Sequence, residues 1–266
     1  MKDFYSVHEF SVLSGIEAST LRYWDEIGIF SPIKRNPDNN YRYYSLVQLL
    51  ALNFVDTLSK LGIPLKTIGE LRENRDPETF ISVLEKRERE LDVELRRIRE
   101  CSSIIHARQE LIKNGLKVTD ENEISIIEFK EDKIFALWPR NEYQEGGNFI
   151  EPLTAFIGHA GEYHVNLAFP VGGYFDNIES FAKAPDRPDH FTSMDITGLH
   201  VRKAGRYLCG YARGYYGIAN DLPERMIAYA KEHSLKLTQP LYAQYLHEET
   251  CVQEPTHYLG QYYTAV

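Results

Sequence analysis

Ser19-Thr20-Leu21-Arg22-Tyr23-Trp24-Asp25-Glu26-Ile27-Gly28-Ile29-Phe30, a polar turn, and then Tyr41-Arg42-Tyr43-Tyr44-Ser45 form the stretch on which the reading of this chain depends. Leu21, Trp24 and Ile27/Gly28 recur at helical spacing on one side, which leaves Arg22 and Tyr23 displayed on another. Residues 31–43 read as two short extended runs around the tip Asn36-Pro37-Asp38-Asn39-Asn40, a hairpin with basic and aromatic flanks. A helix presenting Arg and Tyr beside an Arg/Tyr hairpin has the chemistry of a DNA-reading surface, with a helix for the groove and a wing for the backbone.

The flanks support that plan. Ser6-Val7-His8-Glu9 is a capping box opening a short helix with Val7, Phe10 and Leu13 inward. Ser14-Gly15-Ile16 makes the tight turn, and the second helix is expected over about residues 17–27. An ordinary αα-hairpin would share these features; the wing that follows favours the helix-turn-helix. Ser45-Leu46-Val47-Gln48 is a second capping box, opening a helix with Leu46, Leu49, Leu50, Leu52, Phe54, Val55 and Leu58 largely buried. Leu61-Gly62-Ile63-Pro64-Leu65 breaks the chain, with a fourth helix after it over residues 65–72 and Lys60 beside the break, within reach of phosphate.

Between Pro77 and Lys113 the period changes. Leu84, Leu91, Ile98, Ile105 and Ile112 are spaced by seven, with Leu95 between them and charged residues around them. One long helix with a heptad seam results. A packing helix within the chain is the plainer alternative to a dimer-forming coiled coil, which the seam favours.

Composition bounds the rest. Residues 1–119 carry 18 Lys+Arg against 18 Asp+Glu, whereas residues 120–266 carry 12 against 21, the source of the whole net charge of -9. The overall acidity therefore leaves a local basic patch on the N-terminal part free to meet DNA. Three scattered cysteines exclude a disulfide framework. Apolar runs fall short of a membrane span and the N-terminus lacks a signal-peptide plan, so a cytoplasmic address fits. Of 18 tyrosines, 13 follow residue 119, which suits either an aromatic-binding site or a Tyr-rich β core. That half alternates strands with helices, near 148–159 and 220–232, in the order strand, helix, strands, twice over. The expected class is α+β, with two such halves related by a pseudo-repeat and a cleft between their helices.

Thr20 to Gly28, the Tyr41-Arg42-Tyr43-Tyr44-Ser45 wing and the Leu61-Gly62-Ile63-Pro64-Leu65 break together resemble the MerR family of bacterial transcription regulators, over about residues 4–72. The C-terminal half resembles the GyrI-like effector-binding domain of BmrR-type multidrug sensors, most clearly at Ala204-Gly205-Arg206-Tyr207. The resemblance implies a winged helix-turn-helix over 1–75, an antiparallel dimerisation helix over 76–115 and an effector domain over 120–266. It further implies a homodimer on double-stranded promoter DNA that distorts the DNA when a small hydrophobic or aromatic effector binds, so that RNA polymerase can engage. Arg22, Tyr23, Tyr41, Arg42, Tyr43 and Lys60 are the expected DNA contacts, with one of Tyr43 and Tyr44 serving as wing core. Leu84, Leu91, Leu95, Ile98, Ile105 and Ile112 are the expected dimer seam.

The family's drug sensors resemble each other in a buried Glu after a strand Tyr; here that stretch is Leu241-Tyr242-Ala243-Gln244, without the acid. Tyr163, Phe169, Tyr174, Tyr215, Tyr242, Tyr245 and Tyr258 are the candidate ligand aromatics, with Glu162, Glu179 and Glu224 as substitute acids. Two competing functions find less support in the residues. An enzymatic C-terminal domain lacks an assignable nucleophile–base pair, and metal sensing lacks cysteines at the end of the long helix. No cofactor, metal or catalytic residue is therefore expected.

Overall fold

The computed structural model describes residues 2–74, 76–162, 166–194, 198–237 and 239–266. The chain forms two compact units, Met1–Ile98 and Arg99–Val266.

In the first unit β1 (Tyr5–Ser6) leads into α1 (Val7–Ser14) and α2 (Ala18–Glu26). The wing strands β2 (Lys34–Arg35) and β3 (Arg42–Tyr44) follow, then α3 (Gln48–Lys60) and α4 (Leu65–Glu73). The first capping box forms as expected: Ser6 Oγ accepts from the Glu9 N–H, and the Glu9 carboxylate accepts from the Ser6 N–H at 2.8 Å. α2 stops where Gly28 takes φ +77°, while the Ile29 N–H donates to the Trp24 carbonyl at 2.8 Å. A side chain at Gly28 would be strained in that left-handed turn. The sheet order β1-β3-β2 places Tyr44 opposite Tyr5. Phe10, Phe30 and Tyr44 stack with centroids 4.8 to 6.2 Å apart, so Tyr44 and not Tyr43 is the wing's core residue. Burial pushes the Tyr44 hydroxyl up to about 12.

Leu13, Leu50 and Ile27, expected inward, are exposed. At 100° per residue, Leu50 points away from the stripe of Leu52, Val55 and Leu58 that α3 buries. Leu13 lies beyond the single turn of α1 that touches the core.

α5 (Pro77–Gly115) is a continuous helix of 39 residues that begins in the first unit and ends in the second. Phe80, Val83 and Leu84 pack on the first core, and Ala107 and Leu111 are buried in the second. Between them Leu91, Leu95, Ile98 and Ile105 are exposed, an apolar stripe without cover in the single chain.

The second unit is built on one antiparallel sheet. Its strands are β4 (Ser125–Phe129), β5 (Lys133–Leu137), β6 (Val171–Phe175), β7 (His190–Ser193), β8 (His200–Arg202), β9 (Gly205–Arg213), β10 (Leu241–His247) and β11 (Leu259–Ala265). Three helices lie between them, α6 (Ile150–His159), α7 (Ile178–Lys183) and α8 (Leu222–Glu232). The strand order β4-β9-β11-β10-β6-β7-β5-β8 reads as a two-fold repeat about the β6–β10 seam. β4-β5-α6-β6-β7 corresponds to β8-β9-α8-β10-β11, and each half lends its first strand to the other, β4 to β9 and β8 to β5.

The two expected halves are present, with differences in detail. The apolar stretch 124–137 holds two strands, β4 and β5, which join different halves. The Asp132 carboxylate between them accepts from the Ala204 N–H at 2.7 Å, and this bond with Lys203 lowers its pKa. Among the described residues of 163–174, the strand is β6 at their end, and β7 and β8 lie on either side of residues 194–199. α7 is too short to show a helical period and was not foreseen. Ile227 of α8, expected inward, is exposed, while Met226 and Ala230 are buried.

One buried carboxylate fixes the wing to the helix beside it. Asp25, near the end of α2, accepts from Arg35 Nη2 and Arg42 Nε, each at 2.5 Å, with its own side chain sealed from solvent. The hydrogen bond from Arg42 to Asp25 also raises the arginine's pKa. Asp25→Asn is expected to lower stability by about 1–2 kcal/mol in urea unfolding, the arginines being partly exposed. Lys60→Ala, which breaks an exposed i,i+4 pair with Asp56, should change it by less than about 0.5 kcal/mol.

Candidate DNA interface and ligand cavity

On the first unit, Arg22 and Tyr23 project from α2 into solvent, and Tyr41 and Tyr43 lie on the wing with centroids 5.8 Å apart. Arg42 is not a free cation: Asp25 holds it, so its chemistry is to fix wing and helix in one geometry while its outer face stays partly exposed. Lys60 is exposed and carries its own partner, Asp56. Asp25 was not singled out from sequence, because a carboxylate in a helix gives no sign of burial until its arginines are placed.

On the second unit, a cavity of about 320 Å³ opens over the β6–β10 seam. Its floor is Gly172, Gly173 and Ala243, where the two halves meet. A β-carbon at Gly172 would stand 2.4 Å from the Ala243 carbonyl oxygen, and one at Gly173 would stand 3.0 Å from Pro188 Cβ. The hollow exists because the seam has almost no side chains. Phe149, Leu153 and Phe156 supply the wall on the α6 side, with Phe169 and Phe191 beyond them. The polar rim is Tyr216, Asp186, Glu248, Glu249 and Arg108.

The rim is tightly bonded. Tyr216 donates its hydroxyl proton to Glu249, and burial together with that bond drives its pKa far above the ordinary tyrosine value. Its ring stands edge-on to Tyr245 at 4.6 Å, and Tyr245 Oη accepts from the Gly217 N–H at 2.7 Å. Arg108, from α5, donates to Glu248 at 2.8 Å. Aromatic walls above a bare floor, with carboxylates at the mouth, suit a flat apolar molecule carrying a cation or hydrogen-bond donor.

Of the residues expected to meet a ligand, Phe169 and Tyr245 line this cavity. Tyr163 lies outside the described residues. Tyr174 and Tyr242 flank the floor residues Gly173 and Ala243 on their strands, and strand alternation sends them to the opposite face. Tyr215 and Tyr258 sit behind Tyr216, with ring centroids 5.2 and 5.4 Å from it. Ala243, the position where the acid was missing, is part of the floor, and the acids are supplied by the rim instead of by Glu162, Glu179 or Glu224. Phe149 and Phe156 were legible only as a helix's apolar side, and Tyr216 not at all.

The opposite face of the sheet is packed with tyrosines beneath the seam, and a second hollow of about 280 Å³ opens farther along it beside Tyr211 and Gln261. Tyr207, Tyr242 and Tyr263 are buried there, and the guanidinium of the buried Arg202 lies 3.8 Å over the Phe129 ring. His200 Nε2 is 2.8 Å from Tyr242 Oη; burial, then neighbouring His190, lowers the histidine's pKa. Cys209 is buried, which pushes its thiol up to about 11. Among the described residues no group of three or more His, Cys, Asp or Glu is placed to hold a metal, and no helix is long and apolar enough to cross a membrane.

Replacing the floor tests whether this hollow accepts ligands at all. Ala243→Leu should weaken binding of an aromatic probe such as tetraphenylphosphonium at least about tenfold, because its three added carbons fill a sizeable part of the hollow. Trp138, whose ring lies 5.1 Å from Phe156, offers the fluorescence signal.

The description "MerR HTH family regulatory protein" matches residues 5–74. The "Multidrug-efflux transporter 2 regulator" of Bacillus subtilis (strain 168) is 26% identical over 258 residues, 95% of this chain and 92% of the relative. The "Multidrug-efflux transporter 1 regulator" of the same organism is 29% identical over 178 residues, 60% of each chain. A solved structure, the EcmrR–DNA complex in EcmrR-RPo, aligns over 98% of both chains at 16% identity with a TM-score of 0.42. The helix-turn-helix and its wing thus match the MerR HTH regulatory family over residues 5–74, and a relative regulator aligns along nearly the whole chain at 26% identity.

Proposed function

We propose that this protein is a dimeric, ligand-responsive transcription activator whose cavity over the β6–β10 seam takes a small aromatic or hydrophobic effector of the multidrug type. The observation that carries the reading is the cavity itself: an aromatic-walled hollow with an acidic rim, in a unit joined by one continuous helix to a DNA-reading unit. Residues 1–75 read DNA, 76–115 dimerise and 120–266 sense. Arg22 and Tyr23 enter the groove, while Tyr41, Arg42, Tyr43 and Lys60 hold the flanking backbone. Effector binding alters how the dimer deforms promoter DNA, and RNA polymerase responds to the changed DNA. The work is done in the cytoplasm, beside the chromosome.

The relatives being regulators, we read the cavity as a site of binding and not of turnover. The one buried thiol, Cys209, has its pKa raised and faces Gln261 and Tyr211 on the opposite side of the sheet, away from that cavity.

Leu91, Leu95, Ile98 and Ile105 support the dimer: an apolar stripe exposed along a helix is stable in water once a second copy covers it. Leu91→Asp with Ile98→Asp should give a folded monomer by sedimentation equilibrium, with DNA affinity lowered at least about a hundredfold, since two half-sites are then bound separately. A double variant that stays dimeric would place the interface elsewhere.

A further inference from the structure

Arg108 belongs to α5, yet it forms part of the cavity's rim. Its Nη1 donates to Glu248 Oε1 at 2.8 Å, and its Nε and Nη2 donate to the Ala168 carbonyl at 3.3 and 3.1 Å. One anchor is a cavity wall and the other lies between two wall residues. Ala168 lies between Leu167 and Phe169, which line the hollow, and Glu248 lines it directly beside Glu249 and Thr250. Glu248 is already shared, since it also accepts from Thr250 Oγ1 at 3.2 Å and stands 3.4 Å from Tyr216 Oη. The neighbours of Arg108 on α5, Ala107 and Leu111, pack in one cluster with Phe169, Leu246 and Leu259. The helix is thus seated on the segments that a cavity occupant would touch.

Resting on the reading of the cavity as an effector site, we propose that the Arg108–Glu248 pair makes the sensor charge-selective. A ligand that presents a cation to Glu248 releases Arg108, and with it the end of α5, whereas a neutral ligand of the same shape fills the hollow silently. The competition is balanced because the pair is only partly shielded: the Arg108 side chain is 32% exposed and that of Glu248 17%. A desolvated organic cation inside the cavity can replace it, because the two positive charges compete for the single negative charge of Glu248 and repel each other at close range. Three further polar ties of this helix end involve no residue lining the cavity: Lys133 to Glu110 at 2.9 Å, Asn166 to Glu100 at 2.7 Å, and His247 Nε2 to the Ile112 carbonyl at 3.3 Å. Arg108 is therefore a positioning residue, acting through Glu248.

Hydrogen exchange of the full-length protein tests this, with tetraphenylphosphonium as the cation and triphenylphosphine oxide as its neutral counterpart. In the wild type, the cation at saturation should speed exchange of amides 104–112 about tenfold, within the usual size of an allosteric coupling; the neutral compound should bind and leave them unchanged. Arg108→Met should exchange fast without any probe and ignore the cation, while Arg108→Lys should keep the wild-type response. An equal response to both probes, or a Met variant that responds like the wild type, overturns the proposal. Should neither probe bind the wild type, the effector reading fails on its own, and unchanged exchange in probe-free Arg108→Met would then overturn the role of Arg108. Glu248→Gln, checked by circular dichroism, replaces the Met variant if that fails to fold.

Discussion

The second unit is organised by a shortage of side chains. Gly172, Gly173 and Ala243 face one another where its two halves join, and their backbones approach so closely that a β-carbon at Gly172 would clash with a carbonyl. A sheet seam normally buries apolar side chains on both faces. Here one face keeps that packing, in Tyr207, Tyr242 and Tyr263, and the other is left open for a guest. Packing and binding share that second face: Phe175, Ala243 and Tyr262 line the hollow and also belong to the core that α8 covers.

Two ion-paired arginines divide their labour along the chain. Arg42 is held by the buried Asp25 and fixes the wing beside α2. Arg108 is held by the partly exposed Glu248, where its partner is open to competition. The same chemistry gives rigidity in one place and responsiveness in the other, and burial of the carboxylate decides which. α5, with its exposed Leu91, Leu95, Ile98 and Ile105, is the covalent path between the two units.

Much of this was legible in the sequence. The capping box at Ser6, the turn at Gly15, the wing and the heptads of α5 each rest on local rules, and local rules act on neighbours in sequence. The doubled strand-helix-strand order was visible, but not the exchange of β4 and β8, because pairing partners distant in sequence leave no periodic trace. The cavity was the hardest part to see. Tyr242 and Tyr174 drew attention as aromatics, while the hollow belongs to their small neighbours Ala243 and Gly173, and its acids come from the turn after β10 and from the loop at Asp186. A site made by what is absent from a strand is easily missed when one searches for chemistry-bearing residues.

The central claim is that occupancy of the cavity changes the DNA held by the other unit. A duplex selected from random sequence by the full-length protein, labelled at both ends and followed by fluorescence energy transfer, measures it most directly. At saturating protein, adding tetraphenylphosphonium should change the end-to-end distance while the bound fraction stays constant, as a ligand that deforms a bound promoter requires. An unchanged distance with the cavity demonstrably filled would contradict the account.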